Sequence, residues 1–310
     1  MDGKSLTNGL AVILNETVSS SDFLSSRASY DFLYEAACEF VRRTRVLTTT
    51  QAITTSASVA SYDLNADFMG LYLRDSQNRY TIKYTAGSTD YFLPFRDYES
   101  VAYANQTIAA LIPSNFSLID DATLPSGITG TVTSAGASSN GECTLTDSAA
   151  PFTNVKVGDD VHNTTDASDG VIIGITSTSA LVTALFGGTD NDWDLSDAYV
   201  IVPQGRKHIV FDPPPSTSGH IATLHYVQKP QPVYSPYATY RFDRQYAPAL
   251  IKYAAFQYKY KDSEPNFGDA FYRYWDAQCR MAAKTEHKSF NKPTMRVNFM
   301  KRSYGSRSYR

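Results

Sequence analysis

Cysteine is scarce: Cys38, Cys143 and Cys279 are the only three in 310 residues, and no CxxC pair occurs. An odd count at scattered positions argues against a disulfide framework and supplies no zinc-ligand spacing. Long apolar runs are missing too. "LAVIL", Leu10 to Leu14, is five residues, far short of the ~20 that a membrane helix needs. The amino terminus has no basic stretch followed by an apolar core, so no secretory signal is expected. The N-x-S/T sequons at Asn15, Asn105, Asn115 and Asn163 then read as chance in a chain rich in Ser and Thr. No GxSxG, HExxH or GxxxxGK[ST] is present, so the familiar nucleophile, zinc and phosphate-loop chemistries have no sequence support. The five histidines, His162, His208, His220, His225 and His287, do not stand at metal-ligand spacing. His220 and His225 fall on opposite faces of a strand by period-2 counting. The expectation is a chain that is not an enzyme and carries no cofactor and no metal.

Aromatic residues, in contrast, are plentiful: 22 Tyr and 16 Phe. Tyrosine offers large contact area with a polar handle, which suits extensive interfaces. Net charge is only −3, yet it is unevenly spread. Residues 127–203 hold ten acids and one base, Lys156, a net of −9, whereas residues 284–310 hold eight bases and one acid, a net of +7. Such blocks imply segments with different jobs.

The acidic region has its own texture. "GTVTSAG", "CTLT", "VKVGDDVHN", "GVIIGITS", "ALVTALFG" and "AYVIV" are short apolar alternations separated by Gly, Ser, Thr and Asp. They predict strands and turns without a helix, hence a compact β barrel or sandwich. Within it, "GGTDNDWDLSD" spaces Asp190, Asp192 and Asp194 two apart, like the first ligands of a calcium loop. Such a loop needs Gly at position six and Glu at position twelve, where Leu195 and Ile201 stand. The expected structure is therefore a turn in which Asp and Asn bond backbone N–H groups and Trp193 packs on the barrel.

Outside that region the periodicity changes. Tyr30, Leu33, Tyr34, Ala37, Phe40 and Val41 form a helical stripe, with Ser26 or Ser29 as its cap and arginines in the last turn. A shorter helix is expected over Leu6–Asn15 with Ser5 as cap. "TTTQAITT" predicts a strand, and "MGLYLRD" and "RYTIKYT" a hairpin around "DSQN". "KHIVFDPPP" and "HIATLHYVQKP" predict two more strands of the same sheet. Residues 86–126 give no clear pattern. Two further helices are expected, one capped by Asp243 and running to Lys261, the other capped by Asn266 and ending near His287. Their short connection predicts an antiparallel hairpin.

The fold class expected is thus α+β. N-terminal helices and a C-terminal helical hairpin form a helical frame with a small antiparallel sheet, and an all-β barrel or sandwich module is inserted. The frame spans 1–126 and 204–290, the module 127–203, and a basic extended tail 291–310.

Two resemblances accompany these patterns. "FTNVKVGDDVHNTTDASDGVIIGIT" and "LVTALFGGTDNDWDLSDAYVI" resemble a β module found in structural proteins of tailed bacteriophages. "SYDLNADFMGLYLRD", "LHYVQKPQPVYS" and "YAPALIKYAAFQYKYKDSEPNFGDAFYRYWDAQCRMAAK" resemble, in order and texture, the head-to-tail adaptor (connector or neck) proteins of such phages. That resemblance implies a structural virion protein: a homo-oligomeric ring of about twelve copies, bound to the portal protein above and to tail or nozzle proteins below. Genomic DNA would pass through the channel without sequence reading, and no membrane is involved. Its place would be the virion neck, and the host cytoplasm during assembly. The alternative is a tail-spike, fibre or other receptor-binding tail protein whose β module binds carbohydrate through Trp193 and Tyr199.

The tail "KPTMRVNFMKRSYGSRSYR" interleaves Lys292, Arg296, Lys301, Arg302, Arg307 and Arg310 with Phe299, Tyr304 and Tyr309. Basic and aromatic side chains in alternation suit phosphates and bases or an acidic partner groove. These nine residues are the expected portal or DNA contacts, with "MRVNFM" adding an extended strand to the portal or a neighbouring subunit.

Overall fold

The computed structural model describes residues 1–18, 24–75, 77–99, 108–120, 125–139, 142–241, 243–262 and 265–288. Among them are four α-helices: α1 (Gly3–Leu14), α2 (Ser26–Thr44), α3 (Ala247–Lys261) and α4 (Pro265–Lys288). The strands before the acidic region are β1 (Thr48–Thr54), β2 (Ser61–Asp63), β3 (Phe68–Leu71), β4 (Thr81–Ala86), β5 (Thr89–Pro94) and β6 (Asn115–Asp120). Within it lie β7 (Ile128–Thr131), β8 (Ser138–Ser139), β9 (Glu142–Thr146), β10 (Asp160–Asn163), β11 (Ser168–Ser177), β12 (Ala180–Phe186) and β13 (Ala198–Val202). Two follow it, β14 (Lys207–Asp212) and β15 (Ile221–Gln228). They form sheets of five, seven and three strands.

The molecule is therefore mostly β, which corrects the expected helical frame with a small sheet. Among the described residues the frame alone holds eight strands in two sheets. In the larger, β1, β15, β4 and β5 run side by side and β3 joins the far end of β15; in the smaller, β14 lies between β2 and β6. Ile53, Leu64, Tyr84, Phe116, Ile209, Phe211 and Leu224 fill one core with residues from both sheets. The misreading has a physical cause. β2 is three residues long, too short to show alternation, the expected strand at β3 pairs with the distant β15, and β1 pairs with β15 across most of the chain, Thr48 opposite Val227. β14 and β15 also belong to different sheets, not one. The proline run between them carries the chain from one sheet to the other, with Ala110 and Ser58 bonding its carbonyls.

The helices pack into a second core that includes Leu10, Phe40, Leu250, Tyr258 and Trp275. Asp2, not Ser5, caps α1 by accepting from the Ser5 N–H, and Ser25, just before the expected candidates, caps α2 through Ala28 N–H. Both helices end on a left-handed residue, Asn15 (φ 55°) and Arg45 (φ 56°), the conformation that returns orphan carbonyls to hydrogen bonds. Asp243 caps a 3₁₀ turn that leads into α3. The α3–α4 pair is antiparallel: Tyr260 bonds Asp269, Phe256 faces Tyr272, and Tyr253 faces Trp275 at 4.5 Å. No helix among the described residues is long and apolar enough to cross a membrane.

The seven-stranded sheet comes wholly from Ile128–Val202, in the order β7-β13-β10-β11-β12-β9-β8, with every pairing antiparallel. It curls on itself. Past β7, Thr133 N–H bonds the Thr146 carbonyl at the end of β9, joining the two sides. Its own core contains Leu145, Phe152, Val161, Ile172, Trp193 and Tyr199. The entering and leaving strands are neighbours, with Ile128 opposite Ile201.

Candidate functional site

Among the described residues, three of the five buried charged side chains, Asp67, Asp159 and Arg206, lie where the acidic module meets the frame. Gly158 adopts φ +95°, and a Cβ there would lie 2.6 Å from the backbone nitrogen of Asp67. Only glycine lets the module's turn press this closely on the frame. Ala66 N–H bonds the Val157 carbonyl across the same contact. The next residue, Asp159, accepts from the N–H groups of Lys156 and Gln204 and from Arg206 Nη2 at 2.6 Å. Both charged side chains are 1% exposed. Arg206 Nη1 also donates to the Asn154 carbonyl and lies 3.5 Å from Asp63. Stripping water from the two ions is costly, and the dense bonding around Asp159 is what makes the pair tolerable.

Beside this pair lies a cavity of about 310 Å³, with Tyr34, Asp67, Asp160, Phe186, Lys229 and Tyr234 among its walls. Burial holds the Asp67 carboxyl above the usual aspartate range, although Tyr226 OH and Gln228 Nε2 both donate to it at 2.8 Å. Burial raises Asp160 as well, and Gln204 Nε2 donates to it at 2.7 Å. At the rim, Phe186 of the module stacks on Tyr234 of the frame at 3.9 Å, and the Arg27 guanidinium covers both rings at 4.7 and 4.6 Å. Asp31 accepts from Tyr234 OH and pairs with Arg27. This arrangement is suited to holding two bodies together, with aromatic area outside and charge inside. "VKVGDDVHN" contained its signal, a Gly-Asp pair between strands, but not the partner Arg206.

The Cys143 and Cys279 thiols are buried and that of Cys38 is half-buried. Burial pushes Cys38 up, Cys143 to about 11 and Cys279 to about 12, the opposite of a reactive cysteine. One arrangement does resemble a hydrolytic triad. Ser61 Oγ lies 3.0 Å from His208 Nδ1, and His208 Nε2 lies 3.3 Å from Asp63. It follows directly from the pairing of β2 with β14, which sets His208 opposite Asp63. The cavity lies elsewhere, and Asp63 is shared with Arg206, so the three read as a cross-strand network.

In "GGTDNDWDLSD", Asn191 Oδ1 accepts from Gly188 N–H, Asp190 Oδ1 from Asn191 N–H, and Asp197 Oδ2 from Asp194 N–H. Asn163 Nδ2 ties Asp166, Asp197 and the Asp192 carbonyl together. This is the turn expected from the sequence, and Trp193 anchors it, fully buried, with Nε1 donating to Thr183 Oγ1 at 2.8 Å. Burial, then the charges of Asp190 and Asp194, raise Asp192. Among the described residues, no group of three or more His, Cys, Asp or Glu is placed to hold a metal. Trp193 and Tyr199 are both buried, so neither offers the exposed face on which a sugar would stack.

The predicted contact residues Lys292, Arg296, Phe299, Lys301, Arg302, Tyr304, Arg307, Tyr309 and Arg310 lie outside the described residues. Leading toward them, α4 buries Trp275, Cys279 and Ala282 and exposes Tyr274 and Met281. Arg273, Arg280 and Lys284 are exposed on the same helix. No protein-family model matches the chain, and no curated protein sequence matches it.

Proposed function

We propose that this chain is a structural virion protein of a tailed bacteriophage, a head-to-tail adaptor that assembles beneath the portal into a ring of about twelve copies. The observation that carries the reading is the helical hairpin. On α4, Tyr274 and Met281 are exposed among cations although the opposite face is packed into the core. Two large apolar or aromatic side chains left exposed beside a packed face suit a subunit that has neighbours. The same chain holds a block of net −9 and a block of net +7, and complementary patches at different places on one subunit generate head-to-tail rings. The acidic module belongs on the outside of such a ring, because an acidic wall would repel DNA phosphates. The tail from residue 291 onward is the segment that reaches the portal, and repetition around the ring multiplies weak contacts.

Truncation after Lys288 tests this. The shortened subunit should stay soluble and folded and fail to bind portal rings, while binding by the intact protein weakens with salt. Negative-stain images of the intact protein should show rings. A truncated subunit that docks with unchanged affinity, or a rod in place of a ring, overturns the reading.

A further inference from the structure

Two arginines converge on one oxygen. Arg45 Nη1 donates to the Tyr80 hydroxyl oxygen at 2.8 Å, and Arg74 Nη2 donates to the same atom at 2.7 Å. The two donor nitrogens are thus within about 5.5 Å of each other. The other arginines nearby have spent their charge: Arg42 pairs with Glu39 at 2.7 Å and Arg79 with Asp75 at 2.9 Å. Among the described residues, no carboxylate pairs with Arg45 or Arg74. Like charges this close repel, and the fold nonetheless brings them together from separate elements.

Each is held in place. Arg45 is the left-handed residue that ends α2, its N–H bonded to the Val41 carbonyl. Arg74 and Tyr80 face each other as a β-bridge, and Asp75 between them accepts from Gln77 and Arg79 N–H. Arg74 Nη1 is pinned by Asn78 Oδ1 at 2.7 Å, and its guanidinium lies 4.3 Å over the Tyr80 ring. Burial pushes the Tyr80 phenol up, and the two arginine hydrogen bonds outweigh it, so the phenol sits below the ordinary tyrosine value. A guanidinium carries five N–H donors, and most of them here have no acceptor among the described residues. Paired, oriented guanidinium forks without a carboxylate match the oxygens of a phosphate.

We infer that Arg45, Arg74 and Tyr80 form a phosphate clamp on the frame, and that its ligand is the phosphodiester backbone of duplex DNA. The choice of DNA as the source rests on the ring reading above; the clamp's chemistry does not. Tyr80 acts as the positioning residue, since its oxygen and ring hold the two guanidinium groups toward one point. A contact of this kind reads no sequence.

The test uses the full-length protein and a duplex oligonucleotide of arbitrary sequence in a mobility-shift titration over a range of salt. The double variant Arg45→Gln/Arg74→Gln should bind at least about tenfold more weakly, and its log–log salt slope should fall by about 1, near 0.9 for the one phosphate no longer neutralised. The control is Arg42→Gln/Arg79→Gln, which removes the same net charge from arginines already paired; it should change affinity less than about threefold. Tyr80→Phe keeps every charge and should still weaken binding. Circular dichroism checks that each variant is folded. Calorimetric titration with inorganic phosphate forms the second arm. If phosphate binding is lost in the clamp variant while duplex affinity matches the control, the clamp stands and its ligand is free phosphate, not DNA. If the clamp and control variants behave alike in both arms, the proposal is overturned. Negative-stain imaging of the same samples keeps the two readings apart: rings with an inert clamp refute only the clamp, and a clamp that works without rings refutes only the adaptor.

Discussion

Arg206 Nη2 and Asp159 Oδ2 stand 2.6 Å apart at the seam between module and frame, each side chain 1% exposed. The pair makes the module's attachment a property of two residues that lie in different parts of the fold. Asp159→Ala should cost about 3–5 kcal/mol, because it leaves a buried guanidinium with only the Asn154 carbonyl and Asp63, 3.5 Å away, beside it. Arg206→Met/Asp159→Leu should recover most of that loss, since apolar groups of similar size have no charge to desolvate. Urea denaturation of the two variants, followed by circular dichroism, checks both.

Asp67 carries a pH dependence of definite sign. Its folded-state value is raised by burial, so the folded protein holds the proton more tightly than the unfolded chain does. Its contribution to stability is fully present below the unfolded value, ~3.9, and is lost as pH rises through the folded value. Asp67→Asn has no charge to bury. The stability of wild type relative to this variant should therefore fall as pH is raised from about 4, measured as the difference in urea midpoint.

Trp193 fixes the acidic turn from beneath. Trp193→Ala should destabilise the module by about 3–5 kcal/mol. Thr183→Val, which removes the acceptor of the indole N–H, should cost about 1–3 kcal/mol because a buried donor is left unsatisfied. Hydrogen exchange of amides in β10 to β13 would register both.

The turn itself is expected to bind no specific calcium, because Leu195 and Ile201 stand where a calcium loop needs Gly and Glu and the Asp190 carboxylate is engaged with Asn191 N–H. Calorimetry should show no site tighter than about 10⁻⁵ M, the weak end of the sensor range. Asp192→Asn should stabilise the module by a few tenths of a kcal/mol, about what removing one member of a half-exposed like-charge group gives.

Deleting residues 127–203 and closing the gap with a short Gly-Ser link should leave a folded frame. The entering and leaving strands are adjacent, the module core is separate from the other two, and Arg206 would then be free to meet water. An insoluble frame would count against this.

The module was the legible part of the chain. "GVIIGITS" and "ALVTALFG" became β11 and β12, paired from Asp169–Phe186 to Ser177–Ala180, because strands joined by short turns write their alternation into contiguous text. The frame's sheets were not legible, since β15 takes its neighbours from β1, β3 and β4 and nothing local announces such pairings. The seam followed the same rule: Asp159 stood in a suggestive turn, but its partner is supplied by the strand order of the frame. The clamp residues Arg45, Arg74 and Tyr80 were invisible for a related reason, since a helix end and a hairpin meet only in three dimensions. The tail's basic and aromatic text was readable as composition alone.

The chain has two tryptophans, and the three cores share them unequally. Trp193 lies in the module core, its indole bonded to Thr183. Trp275 lies in the helical core with the Arg43 guanidinium 4.4 Å from its ring. The β sandwich of the frame has none. Each indole is thus a native fluorophore for one part of the molecule, in a chemically different setting, and the third part is dark apart from its tyrosines. With Trp193→Phe or Trp275→Phe in hand, the emission of the remaining indole would follow the melting of one core at a time, without any attached dye.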